Sequence, residues 1–111
     1  MTVVSYDPDR LHLRVEGHAG SAPAGEDLVC AAVSVLVWTL LAEAEAEERF
    51  HMEAVTDEEN AVIDVRCCPE GATVWACRYL FDIVMSGFAL LAENYPEYIR
   101  IDKGGDDHGN E

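Results

Sequence analysis

Residues 28–42 are apolar at every position except Ser34 and Thr39. This stretch constrains the chain more than any other. It falls short of the roughly 20 apolar residues of a membrane-spanning helix, and it is too apolar all round for a helix lying on a wet surface. The reading is a buried helix, with a sheet on one side and something else on the other, a second subunit being one candidate. Glu26 and Asp27 precede the run. Asp27 is placed to cap the helix by accepting from backbone N–H groups two or three residues on, and both acids suit the positive end of the helix dipole. The run leads into Glu43, Glu45, Glu47 and Glu48. Acids at a helix C-terminus are unfavourable, so they read as a solvated end without a stabilising role.

A helix of this kind needs a sheet to cover, and the flanking segments supply one. Residues 3–6 read as a strand, closed by an Asp7-Pro8-Asp9 turn. Leu11, Leu13 and Val15 then alternate with His12, Arg14 and Glu16, the period of a half-buried strand. Residues 50–56 and 61–67 form a hairpin around Asp57-Glu58-Glu59-Asn60, and Pro69-Glu70-Gly71 breaks the chain after it. A second helix starts near Ala72, with Val74, Cys77, Phe81, Val84, Phe88 and Leu91 on one stripe. Gly87 within it costs about 1 kcal/mol relative to Ala, and close approach of another backbone would explain it. Pro96 stops the helix, and residues 98–102 read as a short edge strand. The order is ββαββαβ, which predicts an α+β fold: a two-layer α/β sandwich in which a small mixed β-sheet carries two long helices on one face. Residues 1–102 form one domain, and residues 103–111 form an acidic, glycine-containing tail expected to be disordered.

Charge narrows the partners. The 111 residues carry 7 Lys and Arg against 22 Asp and Glu, a net charge of −15. Binding to nucleic-acid phosphates needs clustered cations, and an anionic membrane repels such a surface. Neither is expected as a partner, whereas a basic protein segment fits the field. An acidic surface that only keeps the chain soluble also fits it. No basic segment followed by an apolar run opens the sequence, so no signal peptide is expected. Cys30, Cys67, Cys68 and Cys77 then read as reduced thiols of a cytoplasmic protein. Cys67 and Cys68 with His51 match no metal-ligand spacing, and neither a metal nor a cofactor is expected. His12 on the wet strand face and His108 in the tail read as bland. Trp38 and Trp75 read as core or interface rather than as a substrate platform.

Reactive residue types meet unusual backbone only between Gly17 and Ser34. Residues 17–25 are small, with three glycines and a proline. Such a loop packs no core and can act as a lid over a bound peptide. His18 stands where a strand gives way to this loop. Cys30 is read in the first turn of the long helix, where unpaired N–H groups and the dipole favour a thiolate. An imidazole nearby lowers the thiol further and can carry a proton to a leaving amine. Asp27, Cys30 and Ser34 share one helix face, and the helix N–H groups can hold a developing oxyanion. Three alternatives stay open. Cys30 among Leu28, Val29, Ala31 and Ala32 suits a small buried hydrophobe. Asp27 suits a cap as well as a partner for His18. Ser34 suits a bond back to the helix carbonyl four residues earlier.

Gly17-His18-Ala19, followed by Gly25-Glu26-Asp27-Leu28-Val29-Cys30-Ala31-Ala32-Val33-Ser34, resembles the signature of the ribosomal-processing cysteine proteases, the Prp family. The pattern is a G-H-A, a short loop, and G-x-D-[IL]-V-C-A-x-x-S at a helix start. It covers about a sixth of the chain and is quite specific. The closing Glu93-Asn94-Tyr95 and Ile99-Arg100 agree more weakly. The resemblance implies a small cytoplasmic homodimer that removes a short N-terminal extension from a large-subunit ribosomal protein. It implies Cys30 as nucleophile, His18 as general base and acid, Asp27 and Ser34 as supporting residues, and a flexible cover marked by Gly17, Gly20 and Gly25. Cys67-Cys68, the acidic end of the first helix and the tail lie outside the pattern. Readings from other classes are a non-catalytic dimeric module gripping the same basic segment, and a thiol redox sensor at Cys30.

Overall fold

The structure, a computed structural model, describes residues 1–17 and 24–102. The elements are β1 (Thr2–Asp7), β2 (His12–Glu16), α1 (Ala24–Ala46), β3 (Glu53–Asp57), β4 (Val62–Arg66), α2 (Thr73–Asn94) and β5 (Ile99–Asp102). The strands form one mixed sheet in the order β3-β4-β2-β1-β5. All neighbours are antiparallel except β1 and β5, which run parallel. The order ββαββαβ is the one the sequence implies. His18, Gly20 and the tail 103–111 lie outside the described residues.

Alternation sorts the sheet into two faces. Val4, Leu13, Val15 and Val65 point inward and are buried with Val29, Val33, Val37 and Leu40 of α1 and Cys77, Phe81, Val84 and Phe88 of α2. Both helices therefore cover the same face. The open face carries polar pairs instead, centred on Asp64. His12 Nε2 lies 2.8 Å from its carboxylate, with Arg14 at 3.6 Å and Arg66 at 3.7 Å. The predicted stripe of α2 stands, except that Val74 is 38% exposed.

Helix α1 differs from expectation in two ways. It begins at Ala24, so Asp27 is an exposed residue inside the first turn and not the N-cap, and Gly25 belongs to the helix rather than to the loop. Only one stripe of α1 is buried, whereas Leu28, Val35 and Trp38 on its outer side are more than half exposed. Trp38, at 65%, and Trp75, at 74%, are not core residues. Trp75 stacks on Tyr79 with ring centroids 5.7 Å apart. Both helices are, by length and composition, apolar enough to cross a bilayer, and α1 as a whole is longer than its apolar run suggested. Their buried stripes against the sheet make them the second layer of the fold.

The acidic end of α1 has a structural use that the sequence reading missed. Glu47 lies past the helix and caps a short 3-10 turn, Glu48–Phe50, by accepting from Arg49 N at 3.1 Å. Phe50 is buried at the end of that turn and is not a strand residue. Gly87 meets a side chain rather than a backbone: a Cβ there would lie 2.6 Å from Leu36 Cδ2. It lets α2 pack closely against α1.

Candidate active site

The site starts where β2 leaves the sheet. Gly17 follows that strand at φ +99°, a conformation that glycine adopts freely and other residues do not. A side chain at this position would collide with the carbonyl of Met1. The Gly17 N–H donates to Ala61 O at 2.9 Å, which ties the strand exit to the β3–β4 hairpin. Ala61 follows the hairpin turn at φ +55°. Leu11 stands at φ +50° in the same position before β2, and its carbonyl accepts from Cys67 N. Both hairpins thus place a left-handed residue before the second strand, as turns of this length often do.

Cys30, Ser34 and Trp38 follow one another four residues apart along α1, which keeps them on one side of the helix. All three line a cavity of about 400 Å³. Val15 and Gly17 at the end of β2, with Val62 and Ile63 of β4, make the facing wall, and Asp57 and Glu58 at the hairpin tip complete the rim. The pairing of Glu16 with Val62 puts this tip beside Gly17. The floor includes Thr2, which is buried on the inner face of β1.

Cys30 is half-buried and unbridged. Starting from Ala24, it lies nearly two helical turns in, and not in the first turn as the sequence reading placed it. The helix-terminus effect falls off within the first turn, so Cys30 lies beyond the reach that its expected place in that turn implied. Ser34 forms no hydrogen bond to another described residue. The back-bonds to helix carbonyls are made by Thr39 Oγ1, donating to Val35 O at 2.8 Å, and Ser86 Oγ, donating to Asp82 O at 3.1 Å. The Ser34 hydroxyl is thus available to the cavity that Cys30 shares. Asp27 is exposed and does not line the cavity.

The other thiols differ in kind. Cys67 and Cys77 are buried and Cys68 is exposed. Burial, with Cys77 alongside, pushes the Cys67 thiol up to about 12, which makes it inert as a nucleophile. Among the described residues no group of three His, Cys, Asp or Glu side chains is placed to hold a metal ion. Asp57, Glu58 and Trp38 were missed as cavity residues in the sequence. For the two acids the role depends on which strand pairs with β4, and no local signal carries that; Trp38 was signalled by its four-residue spacing from Ser34.

A half-buried thiol in a cleft with an apolar wall and a polar rim, borne on an α/β sandwich, suits the class of thiol hydrolases. The model of the family described as cysteine protease Prp matches residues 1–100, and the chain belongs to that family. Among solved structures it is similar to SMU.848 from Streptococcus mutans, with 24% identity and a TM-score of 0.73 over 93% of this chain and 95% of that one. It is also similar to the essential ribosomal processing protease Prp from S. aureus in complex with a substrate peptide. There the identity is 14% and the TM-score 0.76, over 92% of this chain and 96% of that one. The same S. aureus protease with a covalently linked product peptide gives 15% and 0.72 over the same shares. At these identities the likeness shows a shared fold. No curated protein matches the chain.

Proposed function

We propose that this cysteine protease processes a ribosomal protein in the cytoplasm, removing a short N-terminal extension from a large-subunit protein. The observation that carries the reading is the half-buried Cys30 thiol, opening with Ser34 on a cleft that both the helix and the hairpin line. The family match over residues 1–100 supports it, as does the similar S. aureus ribosomal processing protease seen with substrate and product peptides.

In this mechanism His18 takes the Cys30 proton, and the Sγ electron pair forms a C–S bond to the scissile carbonyl carbon. The tetrahedral intermediate collapses as the C–N bond breaks, and the His18 imidazolium returns the proton to the departing amine. Water, deprotonated by His18, then hydrolyses the thioester and releases the carboxylate with free Cys30. Ser34 is placed to hydrogen-bond the substrate or the intermediate in the cleft. Asp27, one turn before Cys30, has a supporting role.

Two copies of the chain assemble through the outer faces of α1 and α2. Leu28, Val35, Tyr79, Ile83 and Leu90 are each more than half exposed there, and Val35 and Leu90 meet in one groove between the helices. An apolar face of this kind marks an association surface, and a two-fold dimer pairs the same patch with itself.

The test is mass spectrometry of the ribosomal protein's mature N-terminus in cells with and without this chain, and in cells carrying Cys30→Ser. Cleavage should depend on the chain, and the variant should lose it by a factor on the order of 1,000 or more, while still binding peptide. Cleavage retained by Cys30→Ser would exclude the thiol mechanism.

A further inference from the structure

The cleft has two unlike halves. Val33, Val37, Val62 and Ile63 give it an apolar wall, and Asp57 and Glu58 stand on the hairpin tip opposite Cys30's helix. The two acids differ in what they already do. Asp57 is committed: its carboxylate accepts from Asn60 N at 3.2 Å and Asn60 Nδ2 at 2.8 Å, and these bonds hold it below the usual carboxylate range. It builds the turn. Glu58 contributes its backbone carbonyl to the turn, accepting from Ala61 N, and its exposed carboxylate forms no ion pair among the described residues. The tip is not a loose end, because Gly17 N–H bonds to Ala61 O one residue past the turn. Its position is therefore coupled to the wall of the cleft.

We propose that Glu58 is a specificity residue, which receives a lysine or arginine side chain of the substrate peptide on one side of the scissile bond while an apolar neighbour fills the wall between α1 and β4. Resting on the peptidase reading above, this assigns the substrate's charge a place in the cleft. A peptide crossing it meets both surfaces within a few residues, since an extended chain advances about 3.3 Å per residue and alternates its side chains. An ion pair on this rim discriminates charge more than it adds affinity, so the signature is selectivity.

The experiment uses the full chain with Cys30→Ala, so that binding is read without turnover. The probes are fluorescein-labelled peptides spanning the junction between extension and mature ribosomal protein, in which each Lys or Arg is singly replaced by norleucine. One replacement should weaken binding about five- to tenfold more than the others. That difference should shrink in Glu58→Gln, and in Glu58→Lys a peptide carrying Glu at the same position should bind best. Equal losses at every position, an unchanged preference in both variants, or binding of none of the peptides would overturn the proposal. Both variants change an exposed side chain, and the far-ultraviolet spectrum checks their fold. Cleavage of the unsubstituted peptide by the unaltered chain tests the peptidase reading separately: a protease that cleaves all peptides alike refutes only the role of Glu58.

Discussion

Cys30, Cys67, Cys68 and Cys77 show how far environment divides one residue type. Cys77 sits on the predicted stripe of α2 and is fully buried, so its place in the core was legible from spacing alone. Cys67 and Cys68 are neighbours in sequence, yet one is buried and the other exposed, because a residue leaving β4 still follows the two-residue alternation of the strand. Iodoacetamide at pH 8 should therefore modify Cys68 and Cys30 and leave Cys67 and Cys77 untouched until the fold opens, as read by peptide-resolved mass spectrometry. The same burial makes a pH prediction. The Cys67 thiol rises from 9.0 to about 12 in the folded chain, with burial the main cause. The folded form then holds this proton more tightly than the unfolded one. The resulting stability is complete below pH 9 and is lost as pH climbs from 9 through 12. Burial moves the Tyr6 hydroxyl, which finds no hydrogen-bond partner among the described residues, in the same direction. Denaturant midpoints measured between pH 7 and 10.5 should fall above pH 9, and Cys67→Ala should reduce that slope. An equal slope in the variant would contradict the assignment.

Among the elements, the two apolar stripes and the strand alternation were readable because each is a local periodicity. What escaped reading was non-local or lay at an end. The start of α1 moved to Ala24, since nothing polar marks the boundary where a loop of small residues runs into a helix. Glu47 became a cap for a 3-10 turn that no periodicity of three residues can announce. The hairpin was readable as a hairpin, but its place beside Gly17 needs the pairing of β4 with β2. Cys30 and Ser34 were legible as a pair from helical spacing, whereas the acidic rim facing them was not. Two left-handed positions at this junction give a paired test. Gly17→Ala forces a Cβ against Met1 at φ +99° and should destabilise the chain by roughly 1–3 kcal/mol. Ala61→Gly, at φ +55°, relieves strain and should stabilise by up to about 1 kcal/mol. Thermal unfolding of the two variants checks the opposite signs.

At the scale of the molecule, charge and exposed apolar surface have different consequences. On the proposed reading, the net charge of −15 would draw in a basic substrate from a distance, and screening would shorten that reach. Raising salt from about 0.05 to 0.5 M should lower kcat/KM through KM, with kcat nearly constant; a kcat/KM insensitive to salt would remove steering from the account. In the proposed dimer the outer helix faces make the contact. Ile83→Asp, at a residue 54% exposed, should convert a dimer to a monomer in sedimentation equilibrium while leaving the sheet intact. A wild-type chain that sediments as a monomer would end the dimer reading. The sheet itself pairs its first strand with its last: Thr2 stands opposite Ile99 and Ser5 opposite Asp102, and Ile99 is buried in the core. A nascent chain therefore leaves one edge of β1 unsatisfied until almost all described residues have been synthesised. During translation that ribbon of open N–H and C=O groups is a docking edge for any extended peptide, so premature termination before β5 should yield a product that aggregates rather than a smaller enzyme.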